Sequence, residues 1–247
     1  MQAGGGMELS VVIPVFNEHE SIGLLLEEVV RAIDPGVHYE IIVVDDGSTD
    51  ATAATLEKLA AENPRLRVLR HRSNHGQSTA LVTGIAAARS PWVVTLDGDG
   101  QNDPQDIGLL LEECAQDGFL KQDRLITGLR RYRNDNLVRR ASSRVANAIR
   151  ARLLRDDCPD TGCGLKLFPR DVFLALPRFD HMHRFLPALF RSYGCCVISV
   201  DVSHRPRLHG ISKYGLFDRL WVGIVDILGV MWLQRRSCRA ETREIGQ

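Results

Sequence analysis

The sequence predicts an α/β protein built on a largely parallel central sheet. Short apolar runs rich in β-branched residues alternate with segments of helical periodicity. Most of these runs also end in a polar cluster, as expected where a parallel sheet carries its site beyond the carboxyl ends of its strands. The first run, Leu9 to Val15, leads into Phe16-Asn17-Glu18. From Glu18 to Ile33 the residues Ile22, Leu25, Leu26, Val29, Val30 and Ile33 recur at i, i+3, i+4 and predict a helix. The second run, Glu40 to Val44, ends in Asp45-Asp46-Gly47-Ser48, and a helix follows over Ala51 to Ala61 with Ser48 or Asp50 as its cap. Leu66 to Leu69 and Trp92 to Leu96 are the third and fourth strands, the fourth ending in Asp97-Gly98-Asp99-Gly100-Gln101. Leu125 to Thr127 is the fifth.

Two later segments read as amphipathic helices. Residues 137–154 place Leu137, Ala141, Val145, Ala148, Ile149 and Leu153 on one side, with Arg139, Arg140, Arg144, Arg150 and Arg152 around them. This is either a solvated basic helix or a surface for anionic headgroups. Leu220 to Leu233 is the most apolar window, but its 14 residues and central Asp226 fall short of the ~20 apolar residues a bilayer span requires. Its helical wheel gathers Trp221, Ile224, Leu228, Met231 and Trp232, with Asp226 near Arg219 on the other side. That apolar face fits two placements, against the α/β core or in a membrane interface with Arg235 and Arg236 at its end.

Composition excludes several classes. A chain of 247 residues with 44% apolar and 25% charged side chains is globular, not disordered, collagenous or a small disulfide scaffold. The 31 basic and 31 acidic residues cancel, so net charge gives no support for nucleic-acid binding. The cancellation hides a division: residues 1–123 carry 8 Lys/Arg against 20 Asp/Glu, and residues 124–247 carry 23 against 11. The six cysteines form no C-x-x-C pair, which argues against zinc and for reduced thiols. The start, MQAGGGMELS, lacks a basic-then-apolar signal pattern, so a cytoplasmic location is expected. No G-x-G-x-x-G follows the first strand and no P-loop occurs, which removes dinucleotide-dependent and P-loop nucleotidase chemistry.

The sharpest constellation is Asp97-x-Asp99-x-Gln101. Side chains two apart on a strand share a face, so two carboxylates can reach one cation while Gln101 adds a neutral oxygen. An all-oxygen set selects Mg²⁺ or Mn²⁺. At the second strand end, Asp45 and Asp46 leave one carboxylate for a nucleobase or ribose. His181 and His183 have the spacing of a ligand pair, but a capping or acceptor-loop role is the expectation.

SVVIPVFNE, IIVVDDGSTD, Asn74-His75-Gly76 before a small-residue helix, and VVTLDGDGQNDP occur together and in order. This set resembles family 2 inverting glycosyltransferases of the GT-A fold, within the branch of polyprenyl-phosphate sugar synthases. The resemblance runs from about Leu9 to Tyr214 and implies a GT-A domain over 7–215, an amphipathic helix over 216–236 and a polar tail over 237–247. It implies that Pro14, Phe16, Asn17, Glu18, Asp45, Asp46, Asp97 and Gly98 hold a nucleotide-sugar, and that Asp99 and Gln101 hold the divalent metal. Asp160, in Asp160-Thr161-Gly162-Cys163-Gly164-Leu165-Lys166, resembles the family's acceptor-side acid; with Asp99 it is the expected catalytic pair. Arg205-Pro206-Arg207 through Ser212-Lys213-Tyr214 resembles the closing loop.

The implied reaction moves a hexose or related sugar from a UDP- or GDP-linked donor to a polyprenyl phosphate at the inner face of the cytoplasmic membrane. A phosphate acceptor is already largely dianionic at neutral pH, so its site needs cations more than a base. Arg130, Arg140, Arg144, Arg207 and Lys213 are the candidates, and Asp160 is either a base for a hydroxyl acceptor or an organiser of these cations. A transferase acting on a saccharide hydroxyl and a non-catalytic nucleotide-sugar or lipid-binding scaffold are the alternatives. A membrane-protein partner or a second copy of the chain is compatible with either.

Overall fold

In the computed structural model, residues 8–116, 124–130, 150–156, 158–206 and 216–236 are described. Seven strands form one sheet in the order β3-β2-β1-β4-β6-β5-β7. Strands β1 (Glu8–Val15), β2 (His38–Asp45), β3 (Leu66–Arg70) and β4 (Trp92–Thr95) correspond to the first four apolar runs and pair in parallel. The fifth run lengthens into β5 (Arg124–Arg130). Two strands are additions: β6 (Lys166–Pro169) runs antiparallel between β4 and β5, and β7 (Cys196–Val202) pairs in parallel with β5 at the edge.

Alternation along the strands builds a core on each side of the sheet. Leu9, Val11 and Ile13 of β1, with Ile41 and Val43 of β2, pack with α1 (Ile22–Ala32), α2 (Thr52–Glu62) and α4 (Ile107–Ala115). Val12, Ile42, Val44 and Val93 face the other way, toward α3 (Gln77–Ala87), α5 (Arg170–Ala175) and α6 (Leu186–Ser192). The last helix, α7 (Leu216–Arg235), joins this second core through Ile227, Val230 and Met231. Pro14 sits in a central strand, yet it lies past the last β1–β4 pair, Val12 with Thr95, so its missing donor breaks no rung on that side.

Three expectations change. Residues 150–154 are helical, as the basic-helix reading requires, but Arg150 is buried, donating to the Cys158 carbonyl at 2.6 Å and to Thr161. In the same turn Leu154 is buried and Leu153 exposed. In α7, Asp226 turns inward toward His181, while Ile224, Leu228 and Trp232 are exposed. The remainder of the basic helix, including Arg140 and Arg144, lies outside the described residues, as do Arg207, Lys213 and the polar tail over 237–247.

Close packing of α3 on the sheet depends on Gly84, where an added Cβ would meet Val12 Cγ1 at 2.6 Å, whereas at Gly23 of α1 it would meet nothing within 4 Å. Gly84→Ala is expected to destabilise by about 1–3 kcal/mol through overpacking. Gly23→Ala should stabilise by about 0.5–1 kcal/mol through lower unfolded-chain entropy. Urea melts that move both midpoints the same way would contradict this packing.

Candidate active site

The carboxyl ends of β1 and β2 are tied together by short polar contacts. Asn17, with φ of 58°, turns the chain out of β1; its amide donates to Ser48 Oγ at 2.9 Å and its Oδ1 accepts the Thr49 amide at 2.8 Å. The Glu18 amide donates to Thr52 Oγ1 at 2.9 Å, and Asp50 Oδ1 accepts the Thr52 amide at 2.9 Å, as a residue capping α2 should. Gly47 adopts a φ of +74°, and a side chain there would run into the Ser73 backbone.

The structure engages most of the acceptor capacity of Asp45 and Asp46 within the fold, leaving Asp45 Oδ2 buried without a hydrogen-bond donor. Asp45 is fully buried, accepts the Ser48 amide at 2.9 Å and lies 3.2 Å from Arg70 Nε. Asp46 accepts the amides of His75 at 3.0 Å and Gly76 at 2.7 Å, and its Oδ1 lies 2.7 Å from His71 Nδ1. His71 Nε2 is 2.9 Å from the Thr83 hydroxyl. Both aspartates therefore shape the strand end and the 71–76 connection that delivers the N-terminus of α3.

At the end of β4, Asp97 enters a cavity of about 490 Å³ that also takes in Gln101, Arg130, Asp160, Lys166 and His183. Gln77 Nε2 donates to Asp97 Oδ1 at 2.7 Å, and the Asp97 amide lies 3.3 Å from Asn102 Oδ1. Burial, and then the neighbouring Asp99 charge, push the Asp97 carboxyl up to about 6 against the pull of Lys166 and Arg130. Gly98 fits where a Cβ would press on Val15 and the Pro14 carbonyl. Gly164 fits where a Cβ would overlap the Asp97 carboxylate itself. Asp99 Oδ1 accepts the Gln101 amide at 3.2 Å.

The donor set fits a hard divalent cation, because the neighbouring Asp99 charge opposes ionisation of the Asp97 carboxyl and a cation would relieve that repulsion. Among the described residues no group of three or more His, Cys, Asp or Glu gathers to hold a metal. Asp97, Asp99 and Gln101 are the residues that would hold such a cation.

Cations from the second half of the chain line the opposite wall. Arg130, at the end of β5, grips Asp160 in a two-pronged pair, with Nε to Oδ2 at 2.7 Å and Nη2 to Oδ1 at 2.9 Å. This pair keeps the Arg130 guanidinium charged although burial opposes it. Lys166 is buried and donates to the Thr161 carbonyl at 3.2 Å and to the Cys163 carbonyl. Gln77, Lys166, His183 and Arg184 were not assigned as site residues from the sequence, although Lys166 lies in the quoted acceptor segment. His183 Nδ1 lies 2.8 Å from the Ser78 hydroxyl, and its partner in spacing, His181, turns instead toward Asp226 at 3.4 Å. The two imidazoles thus do not act as a ligand pair. Arg205 anchors the start of the late loop: its amide donates to the Gln101 carbonyl at 3.0 Å, and its guanidinium pairs with Glu28 and Asp103, each at 2.7 Å.

This geometry agrees with the comparisons to known proteins. The Glycosyl transferase family 2 model matches residues 10–176. The chain belongs to glycosyltransferase family 2. It is 37% identical over 238 residues to a dodecaprenyl-phosphate galacturonate synthase of Rhizobium johnstonii, covering 94% of this chain and 69% of that protein. It is also 37% identical over 211 residues to an undecaprenyl-phosphate 4-deoxy-4-formamido-L-arabinose transferase of Edwardsiella ictaluri, covering 84% of this chain and 63% of that protein. The match therefore spans about two thirds of the length of these relatives. Its fold is GT-A-like: glucosyl-3-phosphoglycerate synthase of Mycobacterium tuberculosis, solved with Mg²⁺ and UDP, superposes with a TM-score of 0.66 at 19% identity, over 93% of this chain and 79% of that one.

Two predictions follow from the cavity of this glycosyltransferase. Gly164→Ala should displace the Asp97 carboxylate and lower turnover by about a hundredfold, the scale of a 1 Å misplacement, with an unchanged far-UV spectrum; wild-type turnover would remove the close-approach argument. Burial, followed by the nearby Arg184, Lys166 and His181 charges, drives His183 from 6.5 down to about 3. The unfolded chain thus takes up a proton that the folded chain refuses, and stability present above pH 6.5 is lost as pH falls toward 3. Between pH 6.5 and 5 the loss is on the order of 1–2 kcal/mol, and urea melts of His183→Gln should lack that portion of the slope.

Proposed function

We propose that the chain transfers a sugar, with inversion, from a nucleoside diphosphate donor to a polyprenyl phosphate. The observation that carries this reading is the pairing of Arg130 with Asp160 beside Lys166 on the wall facing Asp97. A hydroxyl acceptor needs a base to take its proton, and an aspartate locked two-pronged onto arginine is a poor one. A lipid phosphate needs no base, since its oxygens are largely deprotonated at neutral pH. It needs cations that hold a charged nucleophile against a charged donor, and Arg130, Lys166 and Arg184 supply them. The names of the relatives support the same acceptor class, for they are polyprenyl-phosphate enzymes. Those relatives are named for galacturonate and a formamido-pentose, so in this reading the sugar need not be a simple hexose.

In this reading Pro14, Phe16, Asn17 and Glu18 frame the nucleoside at the β1 end, with Asp45, Asp46 and Gly98 shaping its walls. Asp97, Asp99 and Gln101 would hold Mg²⁺ or Mn²⁺, which would supply Lewis-acid stabilisation for a departing diphosphate. A phosphate oxygen of the acceptor, oriented by Arg130 and Lys166, attacks the anomeric carbon as the bond to the diphosphate oxygen breaks. Asp160 acts as a positioning residue that fixes the Arg130 fork. Arg140, Arg144, Arg207 and Lys213 are further acceptor-side cations in this proposal. The work takes place at a membrane surface, because the acceptor is a membrane lipid.

The test combines the full chain, undecaprenyl phosphate, Mn²⁺ and a panel of UDP- and GDP-sugars. A lipid-extractable, acid-labile sugar phosphate is expected, and a water-soluble glycan as the product would overturn the acceptor assignment. Asp99→Ala should lower turnover by about 10²–10³-fold, as loss of one transition-state electrostatic partner does, and should abolish the Mn²⁺-dependent part of the nucleotide thermal shift. Undiminished turnover in that variant would refute the metal assignment.

A further inference from the structure

Helix α7 has two unlike faces. Inward, Ile227, Val230 and Met231 pack on the core, and Gln234 Nε2 donates to the carbonyls of Leu154 at 3.1 Å and Ala188 at 3.3 Å. Asp226, the one acidic residue between 223 and 236, is also turned inward, with Oδ2 3.4 Å from His181 Nδ1. Outward, Ile224 and Val225 are exposed, and Leu228 and Trp232 reach 60% and 62% exposure. A helix that turns Asp226 inward and shows Leu228 and Trp232 to water is inverted, over these turns, relative to an ordinary surface helix.

Beside the C-terminal turns of this helix lies a groove of about 420 Å³. Arg155, Arg191 and Arg235 line it together with Leu153, Leu154 and Met231, and among the described residues no acidic one does. All three arginines and Leu153 are exposed. Apolar stripe and cationic groove therefore share one helix, with Met231, Gln234 and Arg235 lining the groove and Leu228 and Trp232 in the stripe.

We propose that this combined surface docks on an anionic phospholipid bilayer, with a headgroup phosphate seated among Arg155, Arg191 and Arg235. Ile224, Val225, Leu228 and Trp232 enter the boundary between headgroups and acyl chains, where Trp is at home. The charge pattern selects this occupant. A second copy of the chain joined through the same patch would bring two arginine clusters beside a shared twofold axis. A soluble anion would account for the groove and leave the adjoining apolar stripe unexplained. Among the described residues no helix is long and apolar enough to cross a membrane, so adsorption in the interface is the matching mode. The docking surface is independent of the sugar-transfer reading, and it is tested without donor, acceptor or metal.

The experiment is co-sedimentation of the full chain with phosphatidylcholine vesicles, with and without phosphatidylglycerol, read together with tryptophan emission. Binding is expected only to the anionic vesicles, with a blue shift on binding that Trp232→Phe reduces. Arg155→Asn/Arg191→Gln/Arg235→Gln should weaken partitioning on the order of a hundredfold, as removal of three interfacial charges does. Leu228→Ser/Trp232→Ser should weaken it as well, while the far-UV spectrum and thermal midpoint of each variant stay as in the wild type. Equal binding to neutral vesicles, or none to anionic ones, would overturn the proposal. So would displacement by millimolar inorganic phosphate, which would make a soluble anion the ligand, or dissociation of a dimer by Leu228→Ser/Trp232→Ser, which would make a second copy the occupant.

Discussion

The site is organised around one uncomfortable carboxylate. Asp97 ends the central strand β4 in a walled position where burial and Asp99 both oppose its charge, lifting it to about 6. Every neighbouring element is arranged to tolerate that. Helix α3 brings the Gln77 amide, the turn after β4 brings Asn102 to the Asp97 backbone, and β6 approaches through a glycine because any side chain there would collide with the carboxylate. Lys166 and Arg130 then supply compensating charge from two further strands. A carboxylate left partly unneutralised by its own protein is poised to take a cation, which is how a stability liability becomes a ligand site.

The reversed strand β6 is what makes this convergence possible. Because it runs antiparallel between β4 and β5, its amino end lies beside the carboxyl ends of its neighbours, so the Asp160–Lys166 segment enters the sheet at the site. A uniformly parallel strand would deliver Gly164 and Lys166 to the opposite edge. The Thr95 hydroxyl donates to the Gly164 carbonyl at 2.7 Å, and the Gly128 amide donates to Leu165 at 2.9 Å, pinning the segment on both sides.

The first four strands and the first two helices were legible because buried parallel strands and amphipathic helices leave strong periodic signals. Strand β6 left none: KLFP is four residues long and opens on a lysine that is buried only because carbonyls satisfy it. Strand β7 is an edge strand of mixed exposure, so its pattern is faint. The motif at 97–101 could be read directly, since its chemistry is local. The occupancy of Asp45 and Asp46 could not, because their partners Arg70, His71 and Gly76 are 25 or more residues away. The same limit applies to Asp226, whose inward turn is set by His181 across the chain and not by its own helix.

The opposed charges of the two halves meet in this cavity. Asp97 comes from the acidic first 123 residues, while Arg130, Lys166 and Arg184 come from the basic remainder. A reaction between a diphosphate donor and a phosphate acceptor has to bring like charges together, and no single sign of protein charge solves that problem. Carboxylates alone recruit a cation to the leaving group but repel the nucleophile; arginines alone bind both anions without distinguishing their places. In the proposed reaction, acids that would recruit a divalent cation lie on the donor side and fixed cations on the other, so each phosphate would meet its own counter-charge. The zero net charge of the chain is therefore the sum of two surfaces with opposite tasks, joined where β4, β6 and β5 run side by side.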